Sequence, residues 1–305
     1  MQKRILVTGA RGFLGRYVAL HFSKAGYQVT GVGHGNLDRH EMVEHGIDFW
    51  HTADVTLDAL VTYAGEPDLI VHCAGSGSVG FSMTHPHQDY IRTVSSTAAV
   101  LEYIRLHSPK TVMVYPSSAA VYGLAESLPN NEQDTLKPVS PYGVHKMMAE
   151  ILCQSYAKNF DLAVVMVRFF SIYGEGLKKQ LLWDACSKVA RGDGVFSGSG
   201  AELRDWLHAE DAASLLAIAS AFASNACPVV NGGSGTGISV KDVLEKLFIA
   251  YGMDLSCSFS GTVRSGDPTG YQADMAGAMA WGYQPQVDID HGIDRYVTWY
   301  KSENK

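Results

Sequence analysis

Cysteine is scarce in this chain and poorly spaced for bridges. Cys73, Cys153, Cys186, Cys227 and Cys257 lie far apart, with no CxxC pair among them. An odd, scattered set excludes a disulfide framework and a zinc motif, and reads as reduced thiols in a cytoplasmic protein. Charge is also sparse, at 18%, against 46% hydrophobic residues, which excludes disorder and supplies a core. Basic residues are outnumbered 24 to 31, for a net charge of −7. A nucleic-acid partner, which calls for a basic face, is not expected. Apolar runs are short. The most apolar stretch, from Ala212 to Ala223, is broken by serines, so no membrane span is expected. The run Ile5-Leu6-Val7 stops at Thr8-Gly9, too early for the core of a signal peptide. Repeats of solenoid or propeller length are missing too.

What is present is a regular alternation. At 305 residues the chain exceeds one average domain. Ile5-Leu6-Val7 reads as a buried parallel strand ending at a glycine turn. A helix follows, carrying Phe13, Leu14, Val18, Leu20 and Phe22 and ending near Gly26. Further strands are expected at Gln28–Val32, Asp48–His51, Asp68–Cys73, Thr111–Tyr115 and Ala163–Phe169, with helices over Gln88–His107 and Pro141–Lys158. This order predicts an α/β fold, a Rossmann-type doubly wound parallel sheet. After Phe170 the alternation weakens. Residues 1–170 are read as a dinucleotide-binding lobe, and 171–305 as mainly a smaller substrate lobe with an interleaved boundary.

The segment Thr8-Gly9-Ala10-Arg11-Gly12-Phe13-Leu14-Gly15 links the first strand to the first helix. Its glycines let the turn close and bring backbone N–H groups and the helix N-terminus against a pyrophosphate. The second strand ends Val32-Gly33-His34-Gly35-Asn36, without the acid that bonds a ribose 2′-hydroxyl in NAD sites. Arg11, His34 and Arg39 are candidates to meet a 2′-phosphate instead, so NADP is expected, with NAD as the alternative. Asp54-Val55 is placed to flank the adenine, and Ala74-Gly75-Ser76 allows close backbone approach to the cofactor.

Ser117-Ser118 lies just after the Thr111–Tyr115 strand, and Tyr142-Gly143-Val144-His145-Lys146 opens a helix. Tyr142 and Lys146, at i and i+4, share a helix face. An ammonium near a phenol pulls its pKa from ~10 towards the working range, making an acid–base group. A serine hydroxyl can hold the substrate oxygen meanwhile.

Together these segments, with His72-Cys73-Ala74-Gly75, Ser117-Ser118-Ala119-Ala120-Val121-Tyr122-Gly123, Arg168-Phe169-Phe170-Ser171-Ile172-Tyr173-Gly174, Arg204-Asp205-Trp206-Leu207-His208-Ala209-Glu210-Asp211 and Arg264-Ser265-Gly266-Asp267, run nearly the length of the chain. They resemble the extended short-chain dehydrogenase/reductases, the NAD-dependent epimerase/dehydratase group acting on nucleotide sugars. The resemblance implies Tyr142 as acid/base and Lys146 as its tuner and nicotinamide-ribose ligand. It implies Ser118 as the hydroxyl partner, with Ser117 as the neighbouring candidate. It also places Phe169 at the cofactor, and Ser171, Arg204 and Arg264 at a nucleotide-diphosphate sugar. Thr93 and Ser171 stand where the family often has Asn. A homodimer through the helices near Gln88–His107 and Pro141–Lys158 is likewise implied by resemblance.

Three reactions separate at this point. Dehydratases of the group carry Asp-Glu after the hydroxyl residue; Ala119-Ala120 cannot transfer protons. The missing acid at Gly33, with Arg11 nearby, favours an NADPH-consuming reductase of a 4-keto-6-deoxy nucleotide sugar. An NAD-dependent nucleotide-sugar 4-epimerase is the alternative. A non-catalytic dinucleotide sensor is a third reading, which the retained Tyr142 and Lys146 oppose. The pair His85-Pro86-His87 lacks the companions a metal site needs.

Overall fold

The computed structural model describes residues 2–124, 127–253, 257–261 and 270–304. Twelve strands run β1 Arg4–Thr8, β2 Gln28–Gly33, β3 Phe49–Thr52, β4 Leu69–His72, β5 Val112–Ser118, β6 Val164–Phe169, β7 Ser171–Tyr173, β8 Val195–Phe196, β9 Leu203–His208, β10 Val229–Gly232, β11 Gly237–Ser239 and β12 Ser258–Phe259. Six helices fall in the first half: α1 Phe13–Lys24, α2 Arg39–Glu44, α3 Leu57–Tyr63, α4 Val79–Thr84, α5 Pro86–Tyr90 and α6 Ser96–His107. The others are α7 Pro141–Phe160, α8 Gln180–Val189, α9 Ala209–Ser220, α10 Val240–Tyr251, α11 Ala276–Ala280 and α12 Ile289–Glu303.

Seven strands form one parallel sheet in the order β10-β6-β5-β4-β1-β2-β3. Successive side chains on a strand point to opposite faces, and both faces here are apolar. Ile5 and Val7 join the cluster under α1 and α9, while Leu6 joins the cluster under α3, α6 and α7. The same alternation holds on β6, where Val165 and Val167 face one way and Val164 and Met166 the other. The order reverses between β1 and β4, which opens a crevice at their C-terminal ends. A three-stranded sheet, β11-β9-β7, and the helices α8, α10 and α12 enclose a third core around Leu182, Leu244, Phe248 and Tyr296. No helix among the described residues is long and apolar enough to cross a membrane.

The sequence reading misses one local feature. The helix expected over Gln88–His107 is α5 and α6 joined by a π-helical turn, Ile91–Ser95. Such turns insert an extra residue into the helical ladder and often mark functional sites.

Candidate active site

The glycine loop is folded tightly against its neighbours. Gly9 adopts φ +68°, and its N–H donates to the Val32 carbonyl at 2.6 Å. A side-chain carbon at Gly15 would lie 2.1 Å from the Gly9 oxygen, and one at Gly9 would lie 2.8 Å from the Ala74 nitrogen. Gly12 caps α1 without a side-chain bond, and the first turn, which holds Phe13 and Leu14, carries no acid. Its N–H groups and the dipole are therefore open to an anion. This cradle, too narrow for any side chain, fits a dinucleotide pyrophosphate.

At the adenosine end the arrangement differs from the one expected. The Trp50 ring lies over the end of β2, 3.1 Å from where a Gly33 side chain would begin, so glycine there makes room for the indole. Trp50 Nε1 donates to the Gly35 carbonyl at 3.1 Å. His34, one of the expected phosphate contacts, has its Nε2 3.1 Å from the Asp54 carboxylate, both side chains being exposed. The Arg11 guanidinium packs on Gly35. Arg39 is exposed in the first turn of α2, between the capping carboxylates of Asp38 and Glu41. Val55 packs on the core under α3.

Behind the cradle, Thr8 and His72 lock β1 to β4. The Thr8 hydroxyl meets His72 Nδ1 at 2.7 Å and accepts from the Ala74 N–H at 3.2 Å. His72 Nε2 lies 3.3 Å from the Ser96 hydroxyl, which donates to the Arg92 carbonyl. Burial, with the Lys146 ammonium, lowers the His72 pKa to about 3, so the ring is neutral and acts as a spacer. The next loop residues, Gly75 and Ser76, meet the π turn: the Ser76 N–H donates to Thr93 Oγ1 at 3.4 Å.

Three elements converge on the catalytic candidates. Ser118 is the last residue of β5, and its hydroxyl accepts from the Ala120 N–H at 3.2 Å, capping a short 3₁₀ turn, Ala119–Val121. α7 starts at Pro141, with Ser140 Oγ accepting from the Gly143 N–H, so Tyr142 projects from its first turn. Burial pushes the Tyr142 phenol up, a hydrogen bond with Ser118 pulls it down, and the Asp89 carboxylate pushes it up again. The Lys146 ammonium is buried, donates to the Pro116 carbonyl at 2.9 Å and lies 4.7 Å above the Tyr115 ring. Desolvation lowers the Lys146 pKa to about 8. The Ser118 hydrogen bond lowers the phenol, while the Lys146 ammonium bonds the β5 backbone.

The other candidates are spread more widely. Ser117 is buried and donates to Glu150 Oε1 at 2.5 Å, inside an ion pair of Glu150 with Arg168 at 2.8 Å. Ser117 therefore turns away from Ser118, as alternation on a strand requires. Phe169 is buried in the sheet core, its ring against Gly232. Ser171 begins β7, paired with Trp206. Arg204 lies 6.0 Å from the centre of the Tyr271 ring, which meets Phe170 edge-on at 6.0 Å. Phe170 in turn approaches Tyr122. Arg264 lies outside the described residues. Sequence reasoning missed Trp50 and the Asp89–His145 pair, whose partners are far apart along the chain.

The model of the NAD dependent epimerase/dehydratase family matches residues 5–231. The chain is 30% identical over 291 residues to a probable UDP-arabinose 4-epimerase 3 of Arabidopsis thaliana, covering 84% of this chain and 70% of that protein. It is 26% identical over 326 residues to the UDP-glucose 4-epimerase of Lactobacillus helveticus, over 99% and 98% of the two chains. The crystal structure of UDP-glucuronic acid 4-epimerase from Bacillus cereus, in complex with UDP-glucuronic acid and NAD, aligns with a TM-score of 0.85 at 25% identity, over 98% of this chain and 99% of that one. Matched across most of its length, with the glycine cradle and the tyrosine–lysine helix set on the parallel sheet, the chain belongs to the NAD-dependent epimerase/dehydratase family of enzymes acting on nucleotide sugars.

Proposed function

We propose that this protein is an NAD-dependent 4-epimerase of a UDP-sugar. The observation that carries the reading is the adenosine end of the cradle. Of the three side chains expected at a 2′-phosphate, His34 stands 3.1 Å from the Asp54 carboxylate and Arg39 beside the acids of its own turn, while Arg11 packs on Gly35. An additional phosphate dianion would meet repulsion there. This speaks for the epimerase reading over an NADPH-consuming reductase. The 4-epimerases among the relatives, one of them holding NAD, support the same choice.

A dinucleotide held by the Gly9, Gly12 and Gly15 loop would supply the acceptor and donor for the C4 hydride of the sugar. As the phenolate, Tyr142 would take the proton of the C4 hydroxyl, and as the phenol it would return it to the same oxygen when the 4-ketose is reduced from its other face. Ser118 holds the same oxygen and the phenol together. Lys146, fixed on the Pro116 carbonyl, is the candidate for the nicotinamide ribose, while Ala119 and Ala120 supply no group for eliminating water. Arg204 is the diphosphate candidate. Purified protein incubated with UDP-glucose, UDP-glucuronate and UDP-xylose should interconvert at least one with its C4 epimer, followed by chromatography, with NAD retained through purification. Tyr142→Phe should slow this by about 10²–10⁴-fold while NAD stays bound. No epimer from any of the three, with NADPH consumed on a 4-keto-6-deoxy sugar nucleotide, overturns the reading.

The homodimer belongs to the same proposal. An apolar groove of about 580 Å³ between the π turn, α6 and α7 is lined by Tyr90, Val94, Ala98, Met148, Ile151 and Leu152. Ile91, Val144 and Ile151 are exposed on this face. A second copy of the chain is the occupant proposed for this unpaired helix surface.

A further inference from the structure

We propose that Ser117, Glu150 and Arg168 form a buried clamp that sets how Ser118 meets Tyr142, which makes Ser117 and Glu150 positioning residues for the reaction. The inference rests on the epimerase reading, with Tyr142 and Ser118 at the sugar oxygen. Tyr142, Lys146 and Glu150 follow one another at four-residue steps along α7, on a single ridge of that helix. Each bonds one of three successive residues of β5. Tyr142 shares a hydrogen bond with Ser118, Lys146 Nζ donates to the Pro116 carbonyl at 2.9 Å, and Ser117 Oγ donates to Glu150 Oε1 at 2.5 Å. Helix and chain approach so closely here that a side-chain carbon at Gly143 would lie 2.5 Å from the Ala120 oxygen.

The clamp holds the chain on both sides of Ser118. Arg168 stands beside Ser117 in the register of β5 with β6, and donates to Glu150 from Nε at 3.0 Å and from Nη2 at 2.8 Å. Its Nη1 donates to the Tyr122 hydroxyl at 3.1 Å and to the Glu132 carbonyl at 3.0 Å. Tyr122 follows the 3₁₀ turn that Ser118 caps, and its own hydroxyl donates to Asn231 Oδ1 at 2.7 Å. The residue before Ser118 and the turn after it are thus tied to one ion pair. Ser117, Tyr122, Glu150 and Arg168 are all buried. Replacing a buried ion pair by apolar groups of like volume often costs no stability, because desolvation offsets the attraction. What this pair supplies is directed bonds, which an apolar cluster lacks, and they fix the end of β5 against α7.

The test compares wild type, Ser117→Ala and Ser118→Ala on UDP-glucose, UDP-glucuronate and UDP-xylose. It also follows the Tyr142 phenol by NMR of protein labelled at tyrosine Cζ, with the signal assigned through Tyr142→Phe. Ser117→Ala removes one hydroxyl, and should lower kcat by about tenfold or more while KM and bound NAD stay within about twofold. The Tyr142 titration midpoint should rise, as in Ser118→Ala, because the Ser118 bond is what lowers it. A lower Tm with kcat and midpoint unmoved makes the clamp only structural, and a change in KM alone makes Ser117 a substrate contact; either result overturns the proposal. A second variant, Ser117→Ala/Glu150→Leu/Arg168→Met, should regain Tm over Glu150→Leu without regaining kcat. If kcat returns along with Tm, the proposal also fails. A raised midpoint in a protein that turns over no sugar nucleotide upholds the clamp and removes the epimerase reading instead.

Discussion

Gly15 has no room for a side chain, because the Gly9 carbonyl occupies the space one would need. Gly15→Ala must push the loop away from α1. Overpacking of this kind costs about 1–3 kcal/mol, and here it falls on the pyrophosphate cradle. We expect NAD affinity, measured by calorimetry, to fall roughly tenfold or more, with a smaller loss of Tm. Unchanged affinity would show that the cradle is not the cofactor site. Gly15 is also the kind of residue a sequence discloses, since its meaning lies in spacing to Gly9 and Gly12. The same holds for Tyr142 and Lys146, one helical turn apart. Asp89 and His145 are 56 positions apart, and nothing local marks either as a partner. Gly33 looked like an acid removed, yet its reason is Trp50 on the neighbouring strand. Hydrogen bonds and ring contacts between distant segments carry no period, which is why these parts of the site were not legible.

Elements were legible where burial imposes a period. β1, β2 and β6 fall within a residue or two of their expected bounds, because strands covered on both faces must be apolar throughout. The π turn was not, since one inserted residue barely disturbs an apolar pattern. Beyond the sheet, α1, β7, β9 and α12 meet at one carboxylate. Glu175 accepts from Arg295 Nε at 2.7 Å and approaches His208 Nε2 at 3.0 Å, and its backbone carbonyl accepts from Tyr17. Burial alone would raise the Glu175 carboxyl, but hydrogen bonds from His208, its own backbone and Arg295 outweigh it and hold the pKa at about 2. Its folded value lies below the ordinary 4.5, so ionised Glu175 stabilises the fold above about pH 4.5. That contribution drains away as the pH falls towards 2. Glu175→Gln should lower Tm at neutral pH and lose less Tm on acidification than the wild type. Parallel Tm–pH curves would mean the clamp adds nothing.

At the scale of the molecule, the exposed apolar face along α6 and α7 should close against a second copy. Ile151 lines its groove and is 54% exposed, so Ile151→Glu places a charge at the contact without disturbing the core beneath. Sedimentation should show a dimer for the wild type and a monomer for the variant at the same concentration. A wild-type monomer would remove the dimer from the proposal. The sheet bears on how this enzyme could be remade. Its outer strand, β10, pairs with β6 only after the chain has passed through β7, β8 and β9. Cutting near residue 170 to graft a foreign substrate lobe would carry β10 away with the discarded half and leave β6 as a raw edge, open to pairing between molecules. A working chimera has to be stitched in two pieces, on either side of residues 229–232.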